Sequence, residues 1–146
     1  MGGWIALLLA RRTKARVAGL VGIAAAPDFT EDAMWAGFDA AQRAQLEAEG
    51  EVLLPSEYDE EPYPITRRLI EDGRRNLVLR EPLDLPFPVR LLHGTADGDV
   101  PVEVALRLLG HAEGPDIRLI LVKDADHRFS TPENLELLAR TLEEVL

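Results

Sequence analysis

Leu91-Leu92-His93-Gly94-Thr95-Ala96-Asp97-Gly98-Asp99-Val100-Pro101 is the stretch on which the reading of this chain turns. Val89–Leu92, approached through Pro86-Phe87-Pro88, reads as a strand. Val102–His111 carries Val104, Leu106, Leu108 and Leu109, which reads as a helix. Gly94 to Pro101 lies between them and is rich in turn residues. The same order follows at once. Ile117–Val122, bounded by Pro115 and Lys123, reads as a strand, and Pro132–Leu146 as a closing helix. Strands alternating with helices predict an α/β chain with a mostly parallel sheet and helices on its faces. Ligands of such sheets bind beyond the carboxyl ends of the strands, so the loops after Leu92 and Val122 are where chemistry is expected.

Each of those loops offers one group. Asp97 leaves the first, where a carboxylate can hold an imidazole in one tautomer and stabilise its cation. Asp97 and Asp99 are also ordinary turn or cap residues. His127, in Lys123-Asp124-Ala125-Asp126-His127-Arg128-Phe129-Ser130, leaves the second, and a histidine there can act as general base and acid. Alone it would read as a surface residue. Placed one strand–helix unit after Asp97, at the same edge of the sheet, the two read as a catalytic pair. His93 reads as a structural histidine bonded to its own loop, and His111 as a partner of the helix dipole. Asp124 and Asp126 beside His127 do not make a metal site, because groups so close in sequence cannot converge on one ion unaided. No metal and no cofactor is expected.

Upstream, Gly3–Arg12 reads as a helix with Trp4, Leu7 and Leu8 on its apolar face and basic residues at its end. Val17–Ile23 reads as a buried strand. Residues 28–80 differ in character. Asp28 and Glu31 have capping-box spacing, and Met34, Trp35, Phe38 and Leu46 keep helical period up to Gly50. Val52–Leu54 is a short apolar piece, Asp59-Glu60-Glu61-Pro62 an acidic turn, and Ile65–Arg75 a second helix. This region is expected to be a helical cap inserted between two strands of a domain that takes in residues 1–146. Ser130 with Glu133 marks the cap of the last helix, and Pro132 suits its first turn.

Composition narrows the function. The chain has 146 residues, 47% apolar and 29% charged, and a formal net charge of −10. That charge argues against nucleic acid and against an anionic membrane surface. No cysteine is present, which excludes disulfides, thiolate metal sites and a cysteine nucleophile. Trp4–Ala10 is too short to span a bilayer and has its positive charges on the wrong side for a signal peptide. The expected compartment is the cytoplasm. A receiver-like or flavodoxin-like domain is disfavoured, since neither an acidic pocket near the first strand nor a phosphate loop is evident.

Met1-Gly2-Gly3-Trp4, then His93-Gly94-x-x-Asp97-x-x-Val100-Pro101, then Asp126-His127 together resemble the α/β-hydrolase superfamily over the whole chain. Pro55-Ser56-Glu57-Tyr58, Arg90-Leu91-Leu92-His93-Gly94 and Val122-Lys123-Asp124-Ala125-Asp126-His127-Arg128 are similar to the small serine esterases related to mitochondrial palmitoyl-protein thioesterase, also described as an acyl-glucuronide esterase. The resemblance implies the C-terminal part of such a fold, with a three-stranded, mostly parallel sheet at Val17–Ile23, Val89–Leu92 and Ile117–Val122. It implies Asp97 as triad acid, His127 as triad base, and Met1 as the residue whose backbone N–H helps bind the oxyanion. The Gly-x-Ser that would precede Met1 is absent, and neither Ser56 nor Ser130 is expected to replace it. The expected activity is hydrolysis of a small-molecule carboxylic ester or thioester. The chain is expected to be inactive without its nucleophile. Met34, Trp35 and Phe38 are candidate acyl-pocket linings or cap-packing residues. The alternative is a non-catalytic binding module, dimerising through an exposed sheet edge.

Overall fold

The computed structural model describes residues 1–55 and 62–146. Ser56–Glu61, and with them the expected acidic turn and most of the Pro55–Tyr58 likeness, lie outside the described residues. The chain separates into two compact units, Met1–Pro27 with Val78–Leu146, and Asp28–Leu77.

The first unit is built on a three-stranded sheet, in which β1 (Leu20–Ile23) and β7 (Ile117–Val122) flank β5 (Val89–Gly94). Both pairings are parallel, with Leu20 opposite Val89 and Val89 opposite Ile117. Every residue of β5 is buried, as expected of a central parallel strand. β1 is shorter than Val17–Ile23, because Lys14–Arg16 takes a tight helical turn before it. Helix α1 (Gly2–Arg12) precedes it, burying Trp4, Leu7 and Ala10. α4 (Val102–His111) joins β5 to β7 and packs against both, while α5 (Pro132–Val145) packs on β1 and β5. Strand alternation sends Arg90 and Leu92 to one face. There Leu92 joins Ala125 and Phe129, with Leu137 and Leu138 of α5 against them. Arg90 reaches Glu144 on α5 and Asp116 ahead of β7, at 3.2 and 2.8 Å. Arg90 is buried, and burial opposes its charge, but the Asp116 hydrogen bond is the larger effect and raises its pKa; it also lowers that of Asp116. A further parallel pair, β4 (Leu83–Asp84) with β6 (Ala112–Glu113), is too short to be seen in periodicity.

The second unit folds differently from the reading of residues 28–50 as one capped helix. Asp28 takes a left-handed φ of 59°, and Thr30–Trp35 forms a wide π-type turn. The capping box sits later, where Asp39 accepts from the Gln42 N–H at 2.7 Å and Gln42 accepts from the Asp39 N–H at 3.0 Å. From there α2 (Ala40–Glu49) runs to Gly50, whose φ of 84° ends it. β2 (Glu51–Leu54) pairs antiparallel with β3 (Tyr63–Thr66). Ile65 therefore belongs to a strand, and α3 (Arg67–Arg75) starts after the Thr66 cap. The unit's core is Phe38, Leu46, Val52, Ile65 and Ile70, with Met34, Trp35, Leu54 and Leu69 packed against it. No helix among the described residues is long and apolar enough to cross a membrane.

Candidate active site

Asp97 and His127 meet above the carboxyl ends of β5 and β7. The ring Nδ1 of His127 lies 2.9 Å from Asp97 Oδ2 and 3.1 Å from Oδ1. A carboxylate can only accept, so Nδ1 donates, and in the neutral ring the Nε2 lone pair is left to take a proton. The Asp97 side chain is 1% exposed and that of His127 40%. The acid is thus enclosed while the base still reaches outward.

Asp97 is held from several sides. Its Oδ1 accepts the N–H groups of Asp99 at 2.9 Å and Val100 at 2.8 Å. Burial acts to raise the carboxyl pKa. The Val100 N–H, the His127 ring and the Asp99 N–H outweigh it and hold the group below the usual carboxylate range. Asp97 is a turn residue and the imidazole's partner at once, so both readings of it describe the same side chain.

The two loops are laced together. The Asp124 N–H donates to Thr95 Oγ1 at 2.9 Å, and the Ala96 N–H to the Ala125 carbonyl at 3.0 Å. Gly94 allows this approach, since a Cβ there would stand 2.1 Å from the Ala125 oxygen. Beyond His127, Phe129 is buried at a φ of 53°, and its N–H donates to Asp126 Oδ1 at 3.0 Å. A bulky residue at positive φ is strained, and its burial beside Leu92 and Ala125 holds the turn in place. The roles of Thr95, Val100 and Asp126 were not read from the sequence.

Other residues fall as follows. His93 is buried and bonds the Val100 carbonyl of its own loop, as expected. His111 does more than face a dipole, because its Nε2 bonds the Glu81 carbonyl. Asp99 Oδ2 lies 3.9 Å from His127 Nδ1. Among the described residues, the cluster able to offer a metal three ligand atoms within 4.8 Å of one another is Asp97, Asp99 and His127, rather than the Asp124 and Asp126 set weighed from sequence. Phe38 is a core residue of the second unit, and Met34 and Trp35 pack on that core. The Arg74 and Arg43 guanidinium groups lie over the Trp35 ring, 4.6 and 5.1 Å from its centre. It also lines an open cleft of about 360 Å³ with Leu46, Arg67, Ile70 and Arg74. The Met1 carbonyl accepts the first bonds of α1, from Trp4 and Ile5.

An acid after the central strand and an imidazole after the next, on a parallel sheet, define a class, and comparison with known proteins agrees with it. The chain carries part of an α/β-hydrolase fold. It is 32% identical over 147 residues to the palmitoyl-protein thioesterase ABHD10, mitochondrial, of Rattus norvegicus, a match covering all of this chain and 49% of that protein. A crystal structure from Agrobacterium vitis S4, described as a hydrolase, is 42% identical with a TM-score of 0.93, covering 99% of this chain and 58% of the other. Mouse α/β hydrolase domain-containing protein 10 is 31% identical with a TM-score of 0.86, covering 98% and 57%. The chain thus spans about half the length of the curated relatives it matches. No family model matches it.

Proposed function

We propose that this chain carries the acid and the base of a serine hydrolase acting on carboxylic esters or thioesters. The observation behind the reading is the Asp97–His127 contact at 2.9 Å, with a buried acid and an outward imidazole. In the proposed reaction a serine hydroxyl attacks the acyl carbon while His127 Nε2 takes its proton. The protonated ring, stabilised by Asp97, then gives that proton to the leaving alcohol or thiol. Water, activated by the same ring, frees the acid from the acyl-enzyme. With a residue joined ahead of it, the amide N–H of residue 1 is the proposed oxyanion donor, where this chain has a terminal ammonium. Phe38 serves packing of the second unit, and Met34 and Trp35 pack on the same core.

The sequence contains two serines, Ser56 and Ser130, and neither is the third residue of a Gly-x-Ser pattern. We therefore expect no ester turnover above background from this polypeptide alone. A fusion that places a hydrolase segment ending in Gly-x-Ser ahead of Met1 is expected to hydrolyse p-nitrophenyl esters and acyl thioesters. Reaction of the unfused chain with a serine-directed phosphonate would contradict the reading. A dimerising role has one supporting observation, the outer position of β1 and β7 in the sheet.

A further inference from the structure

We propose that His93 is a positioning residue for the Asp97–His127 pair, acting through Val100; the inference rests on the acid–base reading above. His93 stands in β5, and its side chain is 1% exposed. Its Nε2 lies 2.9 Å from the Val100 carbonyl oxygen. A carbonyl only accepts, so Nε2 carries a proton, and in the neutral ring Nδ1 presents a lone pair. That Nδ1 is buried and has no hydrogen-bond partner among the described residues. A ring retained for packing alone would lose nothing by being apolar, because half of its polarity is unsatisfied. What the imidazole adds is the Nε2–H bond.

Val100 is pinned at both ends by this arrangement. His93 holds its carbonyl, and its N–H donates to Asp97 Oδ1 at 2.8 Å. That N–H favours the Asp97 carboxylate against burial, together with the His127 ring and the Asp99 N–H. The same His93 nitrogen lies 3.7 Å from Asp97 Oδ2, the oxygen closest to His127. A clamp from His93 to Val100 to Asp97 to His127 thus spans the site without His93 touching the reacting atoms. Released from it, Val100 can turn, Oδ1 loses a donor, and the carboxylate is free to swing from the His127 ring. In neutral His127 the Asp97 carboxylate holds the proton on Nδ1.

The test is the ¹⁵N imidazole spectrum of the full 146-residue chain, which needs no catalytic turnover. In the unaltered chain His93 is expected as the Nε2–H form and His127 as the Nδ1–H form. His93→Gln keeps an N–H at the reach of Nε2, whereas His93→Asn places its amide near the partnerless Nδ1 position. His93→Gln is expected to retain the Nδ1–H form of His127. His93→Asn is expected to lose it, with faster hydrogen exchange at the Val100 amide. An unchanged His127 spectrum in His93→Asn, even at lowered Tm, would leave His93 a packing residue and overturn the proposal. So would an Nδ1–H form of His93 in the unaltered chain, a result that holds even if both variants fail to fold. A His127 that is Nε2–H in the unaltered chain would instead sink the acid–base reading itself.

Discussion

Asp97 condenses the logic of the site. Its carboxylate is enclosed, yet two backbone N–H groups and one imidazole keep it charged. A carboxyl whose folded pKa lies below its unfolded value of about 3.9 stabilises the fold fully above that value. The stabilisation is lost as pH falls through the depressed folded pKa. Asp116, lowered first by its bond to Arg90, acts in the same direction. Urea unfolding between pH 6 and pH 2 should therefore show stability declining below about pH 4, and Asp97→Asn should flatten that decline. An identical slope in the variant would remove Asp97 from the explanation. Asp97 and His127 were legible as a pair because each follows an apolar run and precedes a helix. Their supports were not, since a backbone N–H such as that of Val100 leaves no mark on residue type.

Elements were legible where period and length agreed. β7 and α4 fall on the predicted residues, and α5 stops one residue short, because each is bounded by prolines, turns or a clean apolar period. Residues 28–50 misled. Met34, Trp35 and Phe38 satisfy helical spacing across a π-type turn and a break at Asp39, a position where two patterns overlap. The cap of α5 was displaced by one residue. Thr131, not Ser130, accepts the Asn134 N–H, at 3.3 Å. Thr131→Ala should lower stability by about 1 kcal/mol, and Ser130→Ala should leave it within about 0.5 kcal/mol, both by urea unfolding. Equal losses from the two would contradict the cap assignment. The pairs β2–β3 and β4–β6 escaped notice because their strands have four and two residues, and strands so short show no alternation.

A net charge of −10 acts on the whole chain. Like charges repel in the compact state, and salt screens them within about 10 Å at 0.1 M. The Arg90 clasp to Asp116 and Glu144 holds its guanidinium inside the protein, where screening is weak. Raising sodium chloride from about 0.01 to 0.3 M should therefore raise Tm, the relief of surface repulsion outweighing the loss of exposed ion pairs. A falling Tm would mean that attractive surface pairs dominate. The alternation of strands and helices, and the loops that carry Asp97 and His127, follow from one fold, and the proposed chemistry needs both loops. Its sharpest trial is kcat/KM of the fusion bearing a Gly-x-Ser segment, measured with His127 and with His127→Ala. Loss of the base should cost about 10²- to 10⁴-fold with the fold intact; a His127→Ala fusion within about tenfold of the parent would contradict the role given to this residue.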